Sequence, residues 1–124
     1  MRFYEKIKIK EIYNLFLPVD NFEKAKEYYE KKLGLEIKFD FSDIGMVTYK
    51  IGTEEAAIIL KVEKIFSDTK PTIWFVVDDV NTEYKKMLEN NIKFLTAPFA
   101  IRTGNAVEFE DPFGNRFGIT DYRK

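Results

Sequence analysis

The chain has 124 residues, 45% of them hydrophobic, with 20 basic and 21 acidic side chains and a formal net charge of −1. That length suits one domain with a real core, and interleaved charges such as Glu23-Lys24 and Glu63-Lys64 argue against a nucleic-acid or polyanion surface. No apolar run is long enough to span a bilayer and no leader pattern is present, so the expected setting is cytoplasmic, with no membrane or nucleic-acid partner.

Met1–Lys10 is charged and weakly patterned, and fits a short helix, an edge segment or a frayed arm. Ile12–Val19, rich in β-branched and aliphatic residues, predicts a strand. Asp20 reads as a helix N-cap with Glu23 completing a capping box. The helix runs to about Leu33, with Phe22, Ala25, Tyr29 and Leu33 on one face, and Gly34 closes it. Leu35–Phe41 alternates, so Leu35, Ile37, Phe39 and Phe41 are expected to share one face of a strand. Turns at Ser42–Gly45 and Gly52–Glu55 bracket strands at Met46–Ile51 and Ala56–Val62.

Glu63–Lys70 is polar apart from Ile65 and Phe66, and reads as a linker. Thr72–Val77 predicts a strand. Asp78-Asp79 starts a second helix with Val80, Tyr84, Met87 and Leu88 on its apolar face, and Asn90-Asn91 stops it. Ile92–Leu95 is a short strand, Thr96–Gly104 a loop, and Ala106–Glu110 and Arg116–Thr120 are the closing strands. Between those two lies Asp111-Pro112-Phe113-Gly114-Asn115. Pro112 pre-sets an early turn position, Gly114 can take positive φ, and Asp111 and Asn115 bond readily to nearby backbone.

The halves repeat. Phe16-Leu17-Pro18-Val19-Asp20-Asn21-Phe22 parallels Phe75-Val76-Val77-Asp78-Asp79-Val80, each leaving a strand and entering a helix. The chain has no His and no Cys, which removes thiolate nucleophiles, Ser-His and Cys-His pairs, and His-based metal sites. Any catalysis must use carboxylates, Lys, Tyr, Ser/Thr or backbone. Aromatic residues reach 16%, with 12 Phe, 7 Tyr and 1 Trp. Core packing is the commoner use of such side chains, and lining a ligand cleft is the other.

The Asp-Pro-x-Gly-Asn turn before the last strand resembles a hallmark of the vicinal oxygen chelate superfamily, which includes glyoxalase I, extradiol dioxygenases and bleomycin resistance proteins. The likeness extends from about Ile12 to Thr120 through Val19-Asp20, Tyr28-Tyr29 with Leu33-Gly34, and Phe75–Val80. It implies an α+β fold: two βαβββ modules forming a curved mixed sheet around a cleft, with helices outside. Module one would span about 12–62, the linker 63–70 and module two 71–121 of a single domain.

Enzymes of the superfamily bind a divalent metal, usually through His and Glu. The corresponding positions fall on Tyr13, Thr72 and Gly118, none a usual ligand, since a tyrosine phenolate is costly at neutral pH. The resemblance therefore implies no metal and no cofactor here. Glu108, Glu110 and Asp111 are near in sequence, but strand alternation sends neighbours to opposite faces. Side chains two apart on a strand share a face. That groups Tyr13, Trp74 and Arg116 around an open space at Gly118, with Phe99 and Arg102 on the longest loop nearby. These five are the candidate ligand-binding residues for a planar or anionic small molecule.

Three functions compete. The first is a metal-free binding protein resembling the bleomycin resistance branch, a homodimer that sequesters an aromatic or amphipathic compound. The second is a glyoxalase- or dioxygenase-like enzyme with an atypical carboxylate site. The third is an interaction module whose cleft Trp74 has filled.

Overall fold

The computed structural model describes residues 5–66, 68 and 70–123. Ser67 and Thr69, within the expected linker, and the first four residues of the N-terminal segment lie outside them. The chain forms two compact units. The first is Asn14–Thr72. The second joins the segment up to Tyr13 to the chain from Ile73 onward.

In the first unit the elements are β1 (Glu11–Val19) from Asn14 onward, α1 (Phe22–Lys26), β2 (Ile37–Phe41), β3 (Met46–Lys50) and β4 (Ala57–Val62). The strands lie in the order β2-β3-β4-β1. β2/β3 and β3/β4 are antiparallel, while β1 runs parallel to β4 from Asn14↔Ala57 to Val19↔Val62. Parallel neighbours need a long crossover, which the α1 segment and the β2–β3 hairpin supply.

The cap of α1 is Asn21 rather than Asp20: its side chain accepts from the Lys24 backbone N–H. After Lys26 the helix widens into a π-helical turn over Glu27–Lys32, where the Leu33 N–H reaches the Tyr28 carbonyl. The extra residue per turn rotates the next side chains off the apolar stripe. Phe22, Ala25 and Tyr29 stay on the core, but Leu33 is left 53% exposed. Gly34 comes next with φ +75, the left-handed conformation that ends a helix.

The core of this unit is Ala25, Val47, Tyr49 and Leu60, with Leu17, Val19, Phe22, Leu35 and Ile37 packed against it. Tyr49 is fully buried, stacks on Tyr29 at 5.7 Å, and donates its hydroxyl to Glu30 Oε2 at 2.7 Å. Burial, reinforced by the Glu30 carboxylate, pushes the phenol far up, so it stays a neutral donor.

β2 departs from the expected alternation. Ile37 opposes Tyr49, but Phe39 opposes Thr48, so Lys38 is an extra, bulged residue. Ile37 faces the core with Tyr49, while Phe39 and Phe41 turn with Thr48 and Met46 to the face away from the helix. Asp40 takes the helix side, where it accepts from the Ser42 N–H and hydroxyl and meets Lys26 Nζ at 3.5 Å.

In the second unit the elements are β5 (Thr72–Val76) from Ile73 onward, α2 (Val80–Glu89), β6 (Lys93–Phe94), β7 (Phe99–Ile101), β8 (Gly104–Glu110) and β9 (Arg116–Thr120). Their order is β5-β9-β8-β6, with β7 on β8. The expected loop at Thr96–Gly104 thus contains a strand, because Phe99-Ala100-Ile101 pairs back onto Gly104–Ala106 through a two-residue turn at Arg102-Thr103. Asp79 caps α2, accepting from the Asn81 and Thr82 N–H groups. Val77, Val80, Met87, Val107 and Ile119 form the core, with Phe75, Tyr84, Phe94 and Phe109 against it. Each such aliphatic side chain contributes roughly 1.5–3 kcal/mol on burial. Leu88, at the rim of the α2 stripe, remains about half exposed.

The segment before β1 is neither helical nor frayed over residues 5–10. The Lys8 N–H donates to Glu83 Oε1, the Lys10 N–H to the Val76 carbonyl, and Asn90 Nδ2 to the Glu5 carbonyl. Buried Glu83 also meets Lys86 at 3.4 Å. These bonds tie the segment to β5 and to α2 and its C-cap. The α+β class and the two βαβββ-type units match the expectation, with β7 an addition to the second.

Candidate functional site

Strand register sorts the second unit into two faces. Val107, Phe109, Phe117 and Ile119 pack on the core beside α2. Opposite residues share a face, so Ala106/Thr120, Glu108/Gly118 and Glu110/Arg116 occupy the helix-free side. Phe99, opposite Ala106, lies on that side as well.

Trp74 closes over Gly118. A Cβ built on Gly118 would stand 2.4 Å from Trp74 Cε3 and Cζ3, a separation real atoms never reach. Glycine here makes room for an indole, and the indole is only 6% exposed. The open space expected at Gly118 is therefore filled by the ring itself. Tyr13 is half-buried and sets its ring edge-on to Tyr122 at 6.1 Å. Phe99 is exposed on the outer strand, and Arg102 sits at the tip of the β7–β8 hairpin. Arg116 is half-buried across from Glu110, whose carboxylate meets Lys93 at 2.5 Å. Register thus brings Phe99, Arg116 and the Trp74-covered Gly118 to one face, while Arg102 stands at its margin.

The residues do not fit a divalent metal. Gly118 has no donor and is covered by Trp74. Thr72 turns its hydroxyl onto the Lys70 carbonyl at 2.8 Å. Among the described residues no group of three His, Cys, Asp or Glu side chains is placed to hold an ion. Glu108 and Glu110 do share a face, two apart on β8, but Asp111 belongs to the turn. Its carboxylate accepts from the Phe113 and Asn115 N–H groups and from Asn115 Nδ2. The Asn115 side-chain bond leads these in holding Asp111 below the ordinary carboxylate value. Gly114, at φ +84, closes the turn.

A second helix-free face, in the first unit, carries residues that strand patterning did not single out. Phe16, Phe39, Phe41 and Lys61 all point there by register. Phe16 could have been found from its alternation with the core residue Leu17; Phe39 and Phe41 were hidden by the bulge. Sequence reasoning also gave no role to Asp121. It is fully buried and accepts from the backbone N–H groups of Val80, Asn105 and Arg123 at 2.7, 2.9 and 3.1 Å.

Two βαβββ-type units, an Asp-Pro-x-Gly-Asn turn before the last strand, and helix-free faces rich in aromatic side chains define a protein of the vicinal oxygen chelate class. Residues 11–119 match the Glyoxalase/Bleomycin resistance protein/Dioxygenase superfamily, and the chain belongs to it. It is 29% identical over 115 residues to the uncharacterized protein YetH of Bacillus subtilis strain 168, covering 88% of this chain and 96% of that one. Its fold is similar to methylmalonyl-CoA epimerase from Mycobacterium tuberculosis, with a TM-score of 0.68 at 13% identity over 94% of this chain and 90% of that one. Its fold is also similar to a glyoxalase/bleomycin resistance protein/dioxygenase superfamily member from Vibrio splendidus 12B01. There the TM-score is 0.70 at 14% identity, over 92% of this chain and 99% of the other.

Proposed function

We propose that this protein is a metal-free small-molecule binding protein that sequesters an aromatic or amphipathic compound, in the manner of bleomycin resistance proteins. One observation carries the reading: at the metal-ligand position on β9 stands a glycine covered by Trp74. The proposed contacts are Tyr13, Phe99, Arg102 and Arg116, with Trp74 as the rigid floor beside them. Rings supply stacking area, and the two guanidinium groups favour an acidic or planar substituent. Further parts of the proposal are a single domain of two modules, a homodimer and a cytoplasmic setting.

Trp74 is the only tryptophan, so its emission reports on this face alone. Titration of the purified protein with a panel of aromatic acids, followed by Trp74 fluorescence, is the test. Saturable changes that Arg116→Gln weakens support the reading. A blue-shifted emission indifferent to every compound would favour an interaction module with a filled face.

A second reading, an enzyme with a carboxylate metal site, draws on Glu108 and Glu110 sharing a face with Arg116. Elemental analysis of untagged protein prepared with Mg²⁺, Mn²⁺, Ni²⁺ and Zn²⁺ separates the two. Stoichiometric metal would replace the first reading with the second.

A further inference from the structure

The helix-free face of the first unit is a grid of side chains set by strand register. One row is Phe16, Ile59, Thr48 and Phe39; the next is Pro18, Lys61, Met46 and Phe41. Thr48 and Ile59 are buried and make its floor. Lys61 Nζ lies 4.0 Å from the Phe16 ring centroid and 5.0 Å from that of Phe66. Phe66 is carried there by a turn in which its N–H bonds the Val62 carbonyl. Two strands away, Phe39 and Phe41 stack on each other at 6.0 Å.

Those two phenylalanines are the unexpected part. They are 53% and 44% exposed, although unbroken alternation would carry Phe39 onto the core with Ile37. The bulge at Lys38 sends both to the opposite face instead. Bulges of this kind re-aim side chains and are frequent beside functional sites. A stacked aromatic pair kept out of a core gains its burial from something else. The cation stands about 10 Å from the pair, two inter-strand spacings along the grid.

We propose that this face binds an amphipathic aromatic monoanion. Its ring system lies across Met46 against Phe39 and Phe41, and its carboxylate or sulfonate is taken by Lys61. The two neighbouring rings favour the charged ammonium, so the charge the ligand meets is pre-positioned. The inference rests on the proposed small-molecule function and gives the first unit a ligand-binding face of its own with a stated ligand chemistry.

The test uses two probes with the same rings. 8-Anilinonaphthalene-1-sulfonate carries the anion; N-phenyl-1-naphthylamine does not. Their dissociation constants are measured by probe fluorescence on the native protein and on Lys61→Met, Lys61→Arg and Phe39→Ser/Phe41→Ser. Circular dichroism and thermal melting confirm that each variant is folded. The native protein should prefer the sulfonate by about tenfold, the scale of a charge-assisted contact. Lys61→Met should abolish that preference, Lys61→Arg should keep it, and the double serine variant should weaken both probes.

A preference unchanged in folded Lys61→Met overturns the subsite but leaves the small-molecule function standing, because that function is read independently at Trp74. Failure of both probes to bind also overturns the subsite. If sedimentation then shows self-association broken by the double serine variant, the face belongs to a second copy of the chain.

Discussion

Gly118 and Trp74 form a steric pair in which the smallest residue admits the largest. Adding one methyl at 118 forces the indole to move, since the Cβ would stand 2.4 Å from its ring carbons. We expect Gly118→Ala to destabilise the fold by about 1–3 kcal/mol, the usual cost of overpacking. Urea denaturation measures it, and a red-shifted Trp74 emission should accompany it. Asp121 is a second residue whose loss should be felt. Asp121→Ala leaves three backbone N–H groups without their acceptor, one of them the first donor of α2. The expected cost is roughly 2–4 kcal/mol by denaturant titration. Asp111 sets a pH dependence. Its folded value is lowered, so the stabilisation it adds is present above the ordinary value of 3.8 and lost as pH falls through the lower folded value. Carboxylate NMR should find its midpoint below 3.8, and Asn115→Ala should bring it back toward that value, because the Asn115 side-chain bond is the leading cause.

Among the elements, β2 shows how one residue redirects a strand. Lys38 is the surplus residue of the bulge, so its deletion should give regular pairing without changing which side chains oppose Tyr49, Thr48, Val47 and Met46. We expect the Lys38 deletion to fold, to lose no more than about 1 kcal/mol, and to keep Phe39 and Phe41 on the helix-free face. Loss of the fold, or nuclear Overhauser contacts between Phe39 and Val47, would contradict this. The π-helical turn acts in the same way on Leu33, carrying it out of a stripe that 3.6-residue spacing puts it in. Both departures insert one residue into a regular repeat. A periodic pattern does not mark where an insertion falls, because the residues on either side remain in good local order.

For the whole molecule, the metal-free reading proposed above makes a direct thermal prediction. Thermal melting in excess chelator should match melting in excess Mn²⁺ or Ni²⁺, since a bound ion would raise the midpoint by mass action. A shift of several degrees would mean that carboxylates such as Glu108 and Glu110 gather an ion. Local chemistry was enough to read the element order apart from β7, the duplicated unit, the end of each helix and the Asp-Pro-Phe-Gly-Asn turn. Each of these is set by contacts within a few residues, as the bonds from Asp111 to Phe113 and Asn115 illustrate. The lack of His and the mapping of Gly118 likewise needed no coordinates. Tertiary structure alone decided that Trp74 covers Gly118, that Asp121 anchors α2 from forty-one residues away, and that Phe39 and Phe41 leave the core. Those outcomes depend on which atoms meet across strands, and sequence neighbours carry no record of such meetings.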